Sequence, residues 1–430
     1  MADDVPGPVR VVLVEAGAEP PELSPDREAG GRYASALVFA VRDGRLVGEV
    51  ELPLEHAVSG AELDKRLGEA LGDRWTEAGP PPAPAVPAPF ISIVVATTMQ
   101  RLEELDRCVA ALLALDYPDF EVILVDNRPD ATPQRAALHA RLSQDPRVRV
   151  VSEARPGISA ARNHGVRVAH GDVVAFTDDD AVAHPRWLRG IAARFAAEPD
   201  VDCVSGVVLP AELETPAQIW FERSGSKLEQ WYRSVSFHND GAWRGRTLGG
   251  LRRARFEITA TAAGAGHTDT YLVYRAGKFG MGANLAFRRS ALQSLGGFDQ
   301  RLGTGTPARG GEDIAAIARL LHSGGRITMD PASIVLHYHR RDYPGLQRQM
   351  YGYGVGLTAA LTALVRSDVR HLVGLAHTVL LGVRVLFGKS AERRADHYPT
   401  ELARIELRGL VAGPFAYLRS LLTRPRTGAR

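Results

Sequence analysis

The sequence predicts an α/β fold built on a mostly parallel sheet flanked by helices, with a small α+β module before it and a helical region after it. Four β-branched apolar runs carry most of this reading: FISIVVAT (90–97), EVILVD (121–126), RVRVV (147–151) and DVVAFT (172–177). They are continuous rather than alternating, as strands buried on both faces are. Segments with helical spacing, such as LEELDRCVAALLAL and ISAARNHGVRVA, separate them, which is the βα alternation of a parallel sheet. The Pro-rich segment AGPPPAPAVPAP (78–89) can be neither a central strand nor a helix, so it reads as a stiff spacer between two units.

Each element follows in order. Before the spacer, YASALVFAV and RLVGEVELPL flank Asp43-Gly44, a hairpin-turn signal, and SGAELDKRLGEAL reads as a helix capped by Ser59. After DVVAFT, Pro185 opens a helix over RWLRGIAARFA. From 232 to 275 the periodicity dissolves into a Gly-rich, basic segment of the length that usually forms a functional loop, and KFGMGANLAF follows it. Beyond about 345 the pattern is mainly helical. With 430 residues, two or three folding units are expected. The divisions are a module at 1–77, a linker at 78–89, a catalytic domain at 90–345 and a helical basic region at 346–430.

Charge and cysteine content narrow the setting. The formal net charge of +2 hides a local +8 over 346–430, where 13 Lys or Arg face 5 Asp or Glu. The apolar stretch LVGLAHTVLLGVRVLF (372–387) is broken by Arg384 and is shorter than the roughly 20 residues a spanning helix needs. The start, MADDVPGPVR, lacks the pattern of a signal peptide, and Cys108 and Cys203 make a disulfide framework improbable. A cytoplasmic protein is expected, with 346–430 a candidate for peripheral contact with an inner membrane surface.

The chemistry concentrates in AFTDDDAVAHPRWL (175–188), where three adjacent carboxylates follow a strand. A capped turn is the simple explanation. The helix begins too late for these aspartates to cap it, however, and ligand sites in α/β sheets lie at the carboxyl ends of strands. A hard divalent cation, Mg²⁺ or Mn²⁺, would relieve the repulsion and assist a phosphate leaving group. Asp126 ends a second strand, as a ligand contact or a turn cap. Glu312 and Asp313 open a helix after a Gly-rich loop, as reactive acids or as first-turn partners of the helix dipole.

The ordered elements IVVAT, VDN, PGISAARNHG, TDDD, and GGED followed by HYH resemble those of the family 2 glycosyltransferases, over about 90 to 345. The resemblance implies a GT-A fold and an inverting transfer from a nucleotide-diphosphate sugar, with UDP-sugar the expected donor. It also implies donor contacts at Thr97, Asp126, Arg162, Asp178 and Asp179, and metal ligation by Asp180 with His337, or alternatively His339. Asp313 takes the place of the general base and Glu312 that of its acceptor-contacting neighbour; the loop at 232–275 reads as the acceptor-facing element, with Gly282 and Asn284 of KFGMGANLAF on the acceptor side. Arg340 and Arg341 offer bidentate donors to a diphosphate, or belong to a solvated basic face. ATTMQR departs from the familiar strand ending and leaves the role of Arg101 open.

The expected partners are the donor and a hydroxyl-bearing small molecule or lipid-linked glycan, with no nucleic acid. Two rivals remain. A nucleotidyltransferase would need a Lys-rich or Gly-rich triphosphate loop that ATTMQRLEEL does not supply, and a noncatalytic nucleotide-sugar sensor gives Asp313 no purpose.

Overall fold

The computed structural model describes residues 6–77, 88–128, 132–223, 232–239, 256–262, 268–376 and 398–422. Most of the Pro-rich segment, the middle of the basic loop and the end of the 372–387 stretch lie outside these residues.

The N-terminal module is a three-stranded sheet of β1 (Val9–Glu15), β2 (Ser35–Arg42) and β3 (Arg45–Pro53), backed by a helix at Gly60–Leu71. Asp43 and Gly44 both take positive φ, 53° and 76°, as the two-residue hairpin between β2 and β3 demands. Ser59 caps the helix by accepting from the Glu62 amide. The module docks onto the rest of the chain through Arg27 and Tyr33, both bound to Glu214, and through Arg45, which lies 3.4 Å from Asp330.

The large sheet contains β4 (Ile91–Thr97), β5 (Phe120–Asp126), β6 (Val148–Ser152), β7 (Val173–Asp178), β8 (Ala181–Ala183), β9 (Cys203–Pro210), β10 (Val235–His238), β11 (Glu257–Ala262), β12 (Thr268–Leu272), β13 (Leu285–Arg288) and β14 (Arg326–His337). Its order is β12-β11-β10-β14-β9-β13-β7-β4-β5-β6, with β8 paired to β14. The four strands read from the apolar runs are the parallel group β6-β5-β4-β7. Successive side chains explain their continuous hydrophobicity: Val94, Ile123, Val125 and Phe176 enter one core layer, whereas Ile93, Val95, Leu124 and Ala175 enter the other.

The expectation of a mostly parallel sheet holds for that group and changes beyond it. β13 runs antiparallel to both β7 and β9, and β10, β11 and β12 extend the far edge antiparallel. β13 is only four residues long and buried between neighbours, so it offered no period of its own. The helix after the aspartates starts at Trp187 rather than Pro185, without a side-chain cap. Past the sheet, helices Tyr343–Ser367 and Thr400–Leu422 pack along each other, as the mainly helical pattern predicts.

Candidate functional site

The parallel strands deliver their last residues to one edge. Thr97 ends β4 opposite Asp126 at the end of β5, and Asp178 ends β7 opposite Ala96. The antiparallel pairing of β14 with β8 sets His337 opposite Ala181, the residue after Asp180, and the Tyr338 amide donates to the Asp180 carbonyl at 3.0 Å. His337 Nε2 thereby comes 3.1 Å from Asp180 Oδ1 and 4.0 Å from Asp178 Oδ2. One ligand atom each from Asp178, Asp180 and His337 lie within 4.8 Å of one another.

The middle aspartate turns away from this group. Asp179 accepts from the Thr97 hydroxyl at 2.7 Å and from Arg101 Nη2 at 2.6 Å. Arg101 Nη1 reaches Asp180 as well, so the arginine whose role the sequence left open ties two of the three carboxylates together. Electrostatics follow from the burial of this cluster. Burial pushes the Asp179 carboxyl up, despite Arg101 and the Thr97 hydroxyl. At Asp180 burial acts in the same direction, but His337 and Arg101 outweigh it and hold the carboxyl well below the usual range. His337 in turn is raised, because the Asp180 carboxylate overcomes the burial that would lower it.

On the other side, Gly311 takes φ 84° and opens the helix Glu312–His322. A Cβ there would meet the Gly356 carbonyl at 2.2 Å, so only glycine lets the two segments approach. Glu312 and Asp313 therefore occupy the positive first turn of the helix. The Asp313 carboxylate is fixed by the Gly282 amide, at 2.9 Å to Oδ2, and the Ile314 amide, at 2.7 Å to Oδ1. Burial and the neighbouring Asp313 charge push the Glu312 carboxyl up to about 7.

Several sequence candidates are placed differently from expectation. Arg162, expected on the donor diphosphate, is a buried strut: Nη1 donates to Glu312, and Nη2 to Asp178 and the Gly282 carbonyl. Its guanidinium also lies beside Phe176 and Phe298, which fix its plane. Asn284, expected on the acceptor side, is buried and spent on the Trp187 indole and the carbonyls of Val207 and Ser333. His339 pairs with Glu222 at 2.6 Å and tilts against Phe221; it lies behind His337, 3.4 Å away Nδ1 to Nδ1, and is not itself one of the converging ligands. Arg341 is an exposed partner of Glu212, whereas Arg340 reaches to 3.7 Å from Asp180. Asp126 is wholly buried and bound by Arg135 and His139, two residues the sequence reading passed over.

Tyr353 was missed entirely. Its ring is 49% exposed and lies beside Phe221, and Gln349 donates to its hydroxyl. The surrounding protein, and then the charges of Asp313, Asp178 and Asp180, push its phenol up to about 12, and Phe221, which it adjoins, lies in turn against His339. No local pattern marks it, since only the packing of a later helix brings it beside Phe221.

Comparisons with known proteins concern the chain as a sequence and a fold. Residues 92–255 match the model described as glycosyl transferase family 2. The chain is 33% identical over 121 residues to the glucosyl-dolichyl phosphate glucuronosyltransferase of Haloferax volcanii, a match covering 28% of this chain and 38% of that protein. It is 37% identical over 104 residues to the uncharacterized glycosyltransferase EpsJ of Bacillus subtilis, covering 24% and 29%. Both matches span well under half of the relative's own length. Among solved structures, a mannosyltransferase from Pyrobaculum calidifontis in complex with GDP-Man and Mn²⁺ aligns with a TM-score of 0.47 and 18% identity, over 81% of this chain and 94% of that one. The family match includes the three aspartates and ends before Glu312 and His337, which the fold carries back to them. Over residues 92–255, then, the chain carries a stretch that matches glycosyl transferase family 2.

Proposed function

We propose that the chain is an inverting glycosyltransferase that moves a sugar from a nucleotide-diphosphate sugar, a UDP-sugar, to an acceptor hydroxyl. The observation that carries this reading is the meeting of two acid groups around Arg162: Asp178 from the strand end and Glu312 from the helix start. Asp178, Asp180 and His337 would hold Mg²⁺ or Mn²⁺, since two carboxylates and an imidazole suit such a cation and their donor atoms already converge. A cation there supplies positive charge against the departing diphosphate.

The remaining steps belong to the chain itself. The two amides on Asp313 fix its carboxylate, which as general base takes the proton of the acceptor hydroxyl while that oxygen bonds the anomeric carbon and the diphosphate leaves from the opposite face. Glu312 and Tyr353 flank the acceptor, and Arg340 faces the diphosphate. Arg101, Thr97 and Asp179 act by orienting Asp180 rather than by touching the reacting atoms.

The test is nucleoside diphosphate release from a panel of nucleotide sugars, with a cell lysate fraction supplying acceptors. Acceptor-dependent release of UDP supports the reading. Pyrophosphate release from a nucleoside triphosphate, or binding of nucleotide sugar without turnover, would replace it with one of the two rivals.

A further inference from the structure

Among the described residues, the helix Thr400–Leu422 buries one side and leaves the other uncovered. Leu402, Gly409, Gly413 and Tyr417 face inward, and the Tyr417 hydroxyl donates to Asp299 at 3.0 Å. The contact with helix Tyr343–Ser367 is backbone to backbone: a Cβ on Gly409 would lie 2.4 Å from the Tyr351 carbonyl oxygen. Outward, Leu407, Val411, Phe415, Leu418 and Leu422 are 56%, 66%, 70%, 50% and 84% exposed. Steps of four, four, three and four residues align them in a single stripe along the helix. Soluble surfaces rarely leave so continuous an apolar patch uncovered.

Charge identifies what fits the stripe. Arg404, Arg408 and Arg419 are exposed along the same side, and after Glu406 the helix carries no carboxylate through Leu422. We propose that this face docks on an anionic lipid surface, with the stripe at the boundary of headgroups and acyl chains and the arginines on lipid phosphates. No helix among the described residues is long and apolar enough to cross a membrane, so the helix lies along the surface. Self-association fits less well, because pairing the stripe antiparallel with its own copy sets Arg408 beside Arg419 and they repel. The docked face lies one helix layer from the acid pair, since Gly356 of the intervening helix touches the Gly310–Gly311 backbone just before Glu312.

The experiment is vesicle sedimentation of the full chain without donor or acceptor, so its result is independent of the transferase reading. Vesicles of phosphatidylcholine alone are compared with vesicles containing about one-third phosphatidylglycerol, at low and high salt. The expected result is binding to the anionic vesicles at least about ten-fold tighter than to neutral ones, weakened by salt. The double variant Val411→Glu with Phe415→Glu should lose it, as should Arg408→Ser with Arg419→Ser. All four side chains are exposed, so circular dichroism stays that of the wild type, and the milder Phe415→Ser gives the same reading should the double variant misfold. Failure of the wild type to bind anionic vesicles at low salt overturns the proposal. So does undiminished binding by the stripe variants, or a solution dimer, measured by light scattering, that those variants convert to monomer.

Discussion

Arg162 and Glu312 stand 150 residues apart in the chain and meet at 2.9 Å, Nη1 to Oε1, with both side chains buried. Because the same guanidinium also holds Asp178, one side chain sets the distance between the strand-end carboxylates and the helix-start pair. Replacing it with an apolar residue leaves two carboxylates without their cation, and breaking a buried pair in this way costs about 3–5 kcal/mol. Arg162→Met should therefore lower the midpoint of denaturant unfolding markedly. Arg162→Lys should recover little of that loss, since a single ammonium lacks the planar fork that serves all three acceptors. An unfolding midpoint unchanged from wild type in Arg162→Met would contradict the strut.

The convergence of Asp178, Asp180 and His337 predicts how divalent cations bind. Asp180→Ala or His337→Ala should weaken Mn²⁺ by about ten-fold or more in calorimetry, and should remove any dependence of UDP binding on the cation. His339→Ala should leave Mn²⁺ affinity near wild type, because its imidazole is engaged with Glu222. Equal losses in both histidine variants would return His339 to the cluster.

Turnover should separate the two acids of the helix start. Asp313→Asn keeps the fold and donor affinity but loses roughly 10²-fold or more in kcat, since an amide cannot take the acceptor proton. Glu312→Gln should raise the acceptor KM as well. Near-normal product formation by Asp313→Asn would remove it as the base.

Glu312 also predicts a pH dependence of stability. Its carboxyl, pushed up to about 7 from 4.5 by burial and Asp313, binds its proton more tightly in the folded chain than in the unfolded one. The associated stability is complete below the unfolded value and is lost as pH rises through the folded value. Denaturant titrations with chelator present should show the wild type losing stability between about pH 5 and 7.5 relative to Glu312→Gln. Parallel profiles would show that Glu312 does not titrate in that window.

Adjacent arginines should behave unlike each other. Arg341→Ala removes an exposed ion pair to Glu212, of a kind worth about 0–1 kcal/mol, and should leave UDP binding unchanged. Arg340→Ala removes a half-exposed guanidinium 3.7 Å from Asp180 and should weaken UDP several-fold in the same titration. If the two variants weaken UDP equally, the assignment of Arg340 to the diphosphate fails.

The sequence by itself determined the parallel group, the hairpin at Asp43-Gly44, the Ser59 cap and the strand-end position of the aspartates. All of these are set by neighbours in the chain: period and apolar content decide a strand, and a positive φ or a cap oxygen decides a turn. It also named His337 ahead of His339, although on motif order alone. Tertiary structure decided which polar groups face one another, because that depends on the register of β14 with β8 and on burial, and neither is encoded within a short window. The donor role expected for Arg162 and the acceptor role expected for Asn284 gave way for one physical reason. Both are buried, and a buried polar side chain must satisfy its hydrogen bonds within the protein: Arg162 on Asp178 and Glu312, Asn284 on Trp187, Val207 and Ser333. Arg101 reached the aspartates, and Tyr353 the side of Phe221, by the converse route, through loop and helix packing that joins distant parts of the chain, where no periodicity in the sequence could mark them.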